Sequence, residues 1–337
     1  MTCMRRILTI AGILLVAIGL ETHAQSPARI RLGTLVPQGS SYHRILQDMG
    51  EKWKAATNGQ VQLTIYAGTM GSELELVRRM RAGQLQTAMI STTGLASIDR
   101  GVTSLQTIPM MFRTLDELDY VKAKMGPTLE KRLAEKGFKV LAWVDGGWVR
   151  FFTREKIDQP EELKKLKIFV TAGETEQFDL MKSAGYSPVA LEWADALTSL
   201  QTKMIDAVPT VPYFGLATQV YTIATYMLDL NWAPVVGALV INQKTWDALP
   251  PAQQTALSAS ALETGKQFTA QGRKESDEAV AAMQKRGLTV VPIPPPLLTQ
   301  WRTASEQMYP KIRGAMVPAD MFDEVTRLVT EYRSRPR

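Results

Sequence analysis

The chain alternates short segments that have a two-residue hydrophobic period with longer segments that have a helical period. Residues 28–36 alternate apolar and polar side chains, which predicts a strand. The next segment, 41–56, is predicted to be a helix. Its apolar residues recur at helical spacing at Ile45, Leu46, Met49 and Trp53. Together the two segments form one β-α step.

Capping signals place the next elements. After a strand over 62–66, Ser72 and Glu75 form a capping box that opens a helix, and a strand over 87–91 follows. Thr114 opens another helix in the same way. That helix is expected to end near Gly126.

Pro127 is expected to start a separate helix that ends at Gly137. A strand over 139–144 comes next. This alternation of strands and helices indicates an α/β architecture with a mostly parallel sheet.

The alternation then starts again with a strand over 148–153, which predicts a second α/β sheet. Its other strands are expected at 167–170, 187–191, 207–209, 226–230 and 235–242, with helices between them. A helical segment over 251–286 would be about 54 Å long if unbroken. A helix of that length should brace both sheets or bend, and Gly265 and Gly272 are the places for a bend.

The N-terminus has the pattern of a secretory signal. Arg5 and Arg6 precede an apolar run over 7–20, and Thr22-His23-Ala24 offers small residues for a signal peptidase. The run of about 14 residues is shorter than the roughly 20 that a spanning helix needs. We therefore predict cleavage after Ala24 and export.

Composition and charge exclude several classes of function. The chain has 337 residues and a net charge of +6, but its basic residues are interleaved with acidic ones, which does not favour nucleic acid as a partner. Without the signal, the only His or Cys left is His43, expected to be an ordinary helix residue. His- or Cys-based metal sites, Cys catalysis and a Ser-His-Asp triad are then disfavoured, and no cofactor or metal is predicted. Dinucleotide, phosphate-loop and zinc-protease motifs are also absent from the sequence.

Five ordered segments carry a specific resemblance to a known family. They are Ile30–Gly33 (IRLG), Tyr66–Val77 (YAGTMGSELELV), Ala82–Met89 (AGQLQTAM), Pro160–Ile168 (PEELKKLKI) and Ser199–Ala207 (SLQTKMIDA). With this set the chain resembles the DctP-type substrate-binding proteins of tripartite ATP-independent periplasmic (TRAP) transporters along nearly its whole mature length.

The resemblance implies a two-domain periplasmic binding protein fold of type II-like form, with a cleft between the lobes and one long bracing helix. We expect lobe I at 25–147 plus about 236–275, and lobe II at 148–235 plus about 276–337, after a signal peptide at 1–24. It also implies capture of a small organic acid in the periplasm, delivery to membrane-embedded TRAP transporter subunits, and no chemistry on the ligand.

One residue that the family uses is missing. The arginine that usually grips the ligand carboxylate would lie at Phe169, and a phenyl ring cannot replace a guanidinium group. A second family arginine matches Val149 without a gap, or Arg150 after a slip of one residue. We predict that Arg150 binds the ligand; the alternative is a structural ion pair with an acid such as Asp145.

Aromatic and polar residues complete the predicted site. The aromatic candidates, which fall in segments that the resemblance places at the cleft or its strand crossings, are Trp143, Trp148, Phe169, Trp193, Tyr213 and Trp232. The polar candidates are Thr210 in one lobe and Ser91 and Thr92 in the other. For each aromatic residue a place in the hydrophobic core is the alternative.

The predicted function is that of a solute-binding protein for a small organic anion, and whether this anion is aromatic or hydrophobic stays open. One alternative is a ligand without a carboxylate, which Phe169 suggests. Another is a sensory partner of a membrane receptor, which shares the fold. A secreted hydrolase with paired carboxylates is disfavoured, because no pair of acidic residues has a distinctive spacing.

Overall fold

The computed structural model describes residues 27–335. The predicted signal peptide, with Cys3 and His23, lies outside these residues. The ten strands are β1 (Ala28–Thr34), β2 (Val61–Ala67), β3 (Thr87–Ser91), β4 (Phe138–Thr153), β5 (Lys167–Thr171), β6 (Ser187–Leu191), β7 (Ala207–Thr210), β8 (Tyr226–Leu228), β9 (Ala233–Asn242) and β10 (Thr289–Val291).

The helices lie between and after these strands. They are α1 (Ser41–Ala56), α2 (Glu73–Arg81), α3 (Thr92–Ala96), α4 (Leu115–Glu135), α5 (Pro160–Leu163), α6 (Thr175–Ser183), α7 (Ala196–Gln201), α8 (Pro212–Ala217), α9 (Gln243–Asp247), α10 (Pro251–Gln284), α11 (Pro295–Glu306), α12 (Tyr309–Ile312) and α13 (Ala319–Arg333). Short 3-10 turns occur at Arg100–Leu105, Trp193–Asp195 and Val220–Thr222.

The strands form one path in the order β2-β1-β3-β9-β4-β7-β5-β6, with β8 beside β4 and β10 beside β8. The outer strands on both sides are parallel to their neighbours, as predicted. The two central strands, β4 and β9, run antiparallel to each other and to the strands they join. They connect the β2-β1-β3 half of the fold, here the first lobe, to the β7-β5-β6 half, the second lobe.

β4 is one continuous strand, so the prediction of two separate strands over 139–144 and 148–153 is wrong. Asp145 pairs with Val236 and Trp148 pairs with Pro234, which leaves one extra residue on β4. Gly147 adopts a φ of 85° in this bulge, a conformation that glycine reaches without steric cost. The glycines therefore mark a bulge within β4.

The predicted boundary at Gly126 and Pro127 is also wrong, because α4 runs through both residues. An apolar stripe continues past the proline at helical spacing and is buried at Leu118, Val121, Met125, Leu129 and Leu133. Packing of this stripe outweighs the loss of one backbone hydrogen bond at Pro127. Ser72 and Thr114 are N-caps as predicted, since Ser72 accepts a hydrogen bond from Glu75 N and Thr114 accepts one from Glu117 N. The return bonds from the Glu75 and Glu117 side chains, which would complete the predicted capping boxes, do not occur among the hydrogen bonds of residues 27–335.

α10 braces both lobes, as expected of so long a helix. Its N-terminal half contributes Leu257 and Phe268 to the core around β1 and α1. Its C-terminal half contributes Ala279 and Met283 to the core around β7 and α8. With 34 residues it is about 51 Å long, so one helix supports both halves of the sheet.

Candidate functional site

The carboxyl ends of the parallel strands in the two lobes face one another. The segment after β3 in the first lobe contacts the segment after β5 in the second, where Thr93 Oγ1 donates to Glu174 Oε1 at 3.1 Å. On another side of this interface the ring of Tyr42 in α1 meets that of Tyr213 in α8, with centroids 4.9 Å apart. Ligands of α/β sheets bind at such strand ends. We call the region between these segments the cleft.

The first-lobe wall of the cleft is built around Glu73. Ser91 N donates to Glu73 Oε1 at 2.8 Å, and Ser91 Oγ and Gly94 N donate to Oε2 at 2.5 and 3.0 Å. Burial raises the pKa of the Glu73 carboxyl, although these hydrogen bonds oppose the rise. Two residues of this wall were predicted to bind the ligand. Ser91 hydrogen-bonds to Glu73, and Thr92 is buried.

The second-lobe wall contains Glu174, Thr210 and Tyr213. Burial and the nearby charge of Glu73 raise the pKa of Glu174 to about 7, although the hydrogen bond from Thr93 opposes the rise. Thr210 is buried and pairs with Arg150 across β7 and β4. Tyr213 is half-buried against Tyr42.

Arg150 forms an ion pair, and its partner is Asp229, which follows β8, and not Asp145. The Arg150 side chain is 18% exposed, whereas Asp229 is 57% exposed. Asp145 pairs instead with Lys122 and Arg273. The Arg150 side chain is therefore largely covered, while Asp229, its one acidic partner among residues 27–335, reaches into solvent.

Phe169 is part of a buried aromatic group. It is 2% exposed and its ring centroid lies 4.5 Å from that of Trp193. Trp193 in turn lies 6.0 Å from the ring of Phe214, next to Tyr213 in α8. The structure therefore brings together three residues predicted for the site, Phe169, Trp193 and Tyr213, with Phe214 joining them.

The other predicted tryptophans lie elsewhere. Trp232 packs edge-on against Phe151 at 5.0 Å, and Trp148 packs against the same core cluster. Trp143 lies along α4, where its Nε1 donates to Glu130 Oε1 at 2.9 Å. The contacts of these three residues are with the hydrophobic core and α4, on surfaces other than the Thr93–Glu174 contact.

Sequence reasoning missed the two acidic residues of the cleft. Glu73 follows the capping Ser72, and Glu174 comes three residues after the end of β5 at Thr171. The sequence contains one signal for Glu174, because a polar residue near the carboxyl end of a parallel strand lies at the edge of the sheet where ligands bind. Glu73 had no distinctive signal, because an acidic residue in the first turn of a helix is common for reasons of helix stability.

Residues 27–335 lack two kinds of feature, a membrane-spanning helix and a cluster of metal ligands. Within that range we find no helix long and apolar enough to cross a membrane. The same residues contain no group of three or more His, Cys, Asp or Glu side chains placed to hold a metal ion.

Comparisons with known proteins agree with this architecture. The family model for bacterial extracellular solute-binding protein, family 7 (DctP), matches residues 32–314. The 2,3-diketo-L-gulonate-binding periplasmic protein of Escherichia coli is 26% identical over 275 residues, which cover 80% of this chain and 83% of that protein. The C4-dicarboxylate-binding periplasmic protein of Rhodobacter capsulatus is 22% identical over 245 residues, 72% of each chain.

Solved structures share the fold. A TRAP periplasmic solute-binding protein from Haemophilus influenzae with bound L-gulonate matches with a TM-score of 0.81 and 19% identity, covering 90% of this chain and 99% of that one. Another, from Ralstonia eutropha with bound (S)-2-acetolactate, matches with a TM-score of 0.81 and 20% identity over the same shares. The two-lobe fold is thus shown, and the chain belongs to family 7 of the bacterial extracellular solute-binding proteins, the DctP family of TRAP transporters.

Proposed function

We propose that this protein captures a small organic acid between its lobes, with Arg150 as the group that binds the ligand carboxylate, and delivers it to the membrane-embedded subunits of a TRAP transporter. The observation that carries the proposal is the environment of Arg150. An arginine on an apolar strand is costly unless an anion pairs with it. Its one acidic partner, Asp229, is mostly exposed and can give way to a ligand.

The pairing of β4 gives Arg150 a polar neighbour. Arg150 lies opposite Thr210 of β7, and Thr210 is buried. We propose Thr210 as a polar ligand contact beside the guanidinium group.

The related proteins support an acid as the ligand. 2,3-Diketo-L-gulonate and C4-dicarboxylates are bound by the two relatives, and L-gulonate and (S)-2-acetolactate by proteins of the same fold. In this chain Phe169 stands where the first family arginine is expected, and its buried ring packs against Trp193. We infer one charge-assisted contact, worth about 1.5–3 kcal/mol, and no guanidinium contact from position 169.

Export and closure complete the proposal. The protein is exported with a signal peptide over 1–24 that is removed after Ala24, and it works in the periplasm. Lobe I comprises 25–147 plus about 236–275, and lobe II comprises 148–235 plus about 276–337. The lobes close on the ligand by hinge motion about β4, β9 and α10, and the ligand leaves chemically unchanged.

A thermal-shift screen tests the ligand. The panel contains L-gulonate, D-glucuronate, acetolactate, succinate, benzoate and uncharged sugars. A ligand at a hundredfold excess over its dissociation constant stabilises the folded protein by about 2.7 kcal/mol. We expect an acid to raise the melting temperature and uncharged sugars to have no effect.

Three variants test Arg150 against the best acid. Arg150→Ala should lose most of the shift, whereas Asp229→Asn should keep or enlarge it, because the competing carboxylate is gone. Arg313→Ala is the control, since it breaks an exposed pair with Asp323 near the C-terminus. If Arg150→Ala and Asp229→Asn lower stability equally and leave ligand binding intact, the pair is structural.

Two alternatives give different results. A ligand without a carboxylate would appear as a shift with uncharged compounds only, in agreement with Phe169. A sensory partner would bind a membrane receptor and not the transporter subunits, which a pull-down with each purified membrane protein separates.

A further inference from the structure

Two carboxyl groups meet where the lobes touch. Glu73 of the first lobe is held by Ser91 and Gly94, at 2.5 to 3.0 Å. Glu174 of the second lobe is held by Thr93, which lies between those two residues. A stretch of four residues, 91–94, therefore binds both carboxyl groups and brings them together across the cleft.

The neighbouring basic side chains are engaged with other groups. Arg79 pairs with Glu75, and Arg81 donates to Ser97 O. Arg100, from the 3-10 turn beside α3, pairs with Glu176 at 2.8 Å. Among residues 27–335, no Lys, Arg or His forms an ion pair with Glu73 or Glu174, so the two carboxyl groups face each other without a counter-charge.

We propose that closing the cleft takes up a proton at Glu174, so that pH sets the balance between open and closed lobes. In an open form Glu174 is separated from Glu73 and hydrated, and it is ionised. Closure removes it from water and brings it toward a second carboxyl group, which disfavours a second negative charge. A proton on Glu174 removes the repulsion, and Thr93 can still hydrogen-bond to the neutral carboxyl.

The direction of the pH effect follows from the pKa. In the closed form, burial and the charge of Glu73 raise the pKa of Glu174 from 4.5 to about 7. The closed form therefore binds the proton more tightly, and its advantage is lost as the pH rises through about 7. With the ordinary pKa in the open form, closing should be about tenfold more favourable at pH 6 than at pH 8. Glu73 is the charged group that contributes to this rise, and Arg100 remains paired with Glu176.

Fluorescence energy transfer between the lobes tests the proposal without any ligand. Cys3 is the only cysteine in the sequence and is removed with the predicted signal peptide, so the protein from Gln25 onward can be labelled at introduced cysteines. Gln47→Cys in α1 and Thr198→Cys in α7 place one dye on an exposed position of each lobe. The closed fraction is measured from pH 5.5 to 8.5 at constant ionic strength.

We expect the closed fraction of the wild-type background to fall as the pH rises. Glu174→Gln should lose most of this pH dependence, because the amide cannot ionise. Glu73 should add little, because all three of its hydrogen-bond donors belong to its own lobe and are kept whether the lobes are open or closed. Asp179→Asn is the matched control: Asp179 is an exposed acid of α6, five residues from Glu174, and the variant should keep the wild-type pH dependence. The proposal is overturned if the background shows no pH dependence, or if Glu174→Gln retains it.

This inference depends on the two-lobe fold and not on Arg150. A failure of Arg150 to bind an acid would leave the proton effect in place, and a missing proton effect would leave the role of Arg150 untouched. The two proposals can therefore fail separately.

Discussion

Arg273 of α10 holds both carboxylate oxygens of Asp145 in β4, with Nε 2.9 Å from Oδ1 and Nη2 2.8 Å from Oδ2. The Asp145 side chain is completely shielded from solvent, and Lys122 of α4 approaches it at 2.6 Å. Arg273 also binds Asp119 of α4 at 2.7 and 2.9 Å. The network joins the bracing helix, the central strand and α4 directly before the bulge in β4.

We predict that Asp145→Asn destabilises the protein by about 3 kcal/mol, because it leaves Arg273 and Lys122 to share Asp119 after a buried pair is broken. Urea unfolding followed by circular dichroism measures the effect. Asp323→Asn is the control, since it removes one partner of the exposed pair with Arg313 and should have a far smaller effect on the urea midpoint. Equal losses in the two variants would show that the network around Asp145 adds no more than a surface pair.

Local signals predicted much of the fold. The bounds of α1, β3 and β6 agree with the sequence pattern, because each element has a clear hydrophobic period and a distinct cap or turn. The errors in β4 and α4 have another cause. Glycine and proline signal a break only when nothing else holds the element together, and here long-range packing against β9 and the C-terminal helices does so.

The site was predictable only in part. The family resemblance predicted that Arg150, Phe169 and Trp193 belong to the site, but the residues that contact them come from distant segments. Asp229 follows β8, nearly eighty residues after Arg150, and no local pattern relates the two. Glu73 and Glu174 are likewise brought together only by contact between the lobes, which sequence periodicity does not describe.

We predict that Gly265→Ala destabilises the protein, although alanine favours helices. A Cβ atom at this position would lie 2.7 Å from Ala142 Cβ and 3.3 Å from Trp143 O, so β4 and α10 would have to move apart. Crowding of this kind costs about 1–3 kcal/mol, more than the gain of about 1 kcal/mol in helix propensity.

Ala270→Gly in the same helix supplies the comparison for Gly265. This position is exposed, so the variant measures helix propensity alone and should lose about 1 kcal/mol. If Gly265 served only as a bend, replacing it by alanine would raise the melting temperature by about the amount that Ala270→Gly lowers it. A lower melting temperature for both variants identifies Gly265 as a close contact between helix and strand.

The last prediction concerns Phe169, where the resemblance led us to expect an arginine. Phe169→Arg should destabilise the ligand-free protein by about 3 kcal/mol or more, because the guanidinium group would replace a buried ring against Trp193. Phe169→Met keeps an apolar side chain of similar size and should cost about 1.5 kcal/mol or less. The urea midpoints of both variants are compared, each measured with and without L-gulonate as a probe. The probe is present at 10 mM, about the concentration that a weak ligand needs in order to bind. Equal midpoints without the probe would mean that position 169 faces the water-accessible cleft, and the aromatic packing would then not explain the loss of the family arginine.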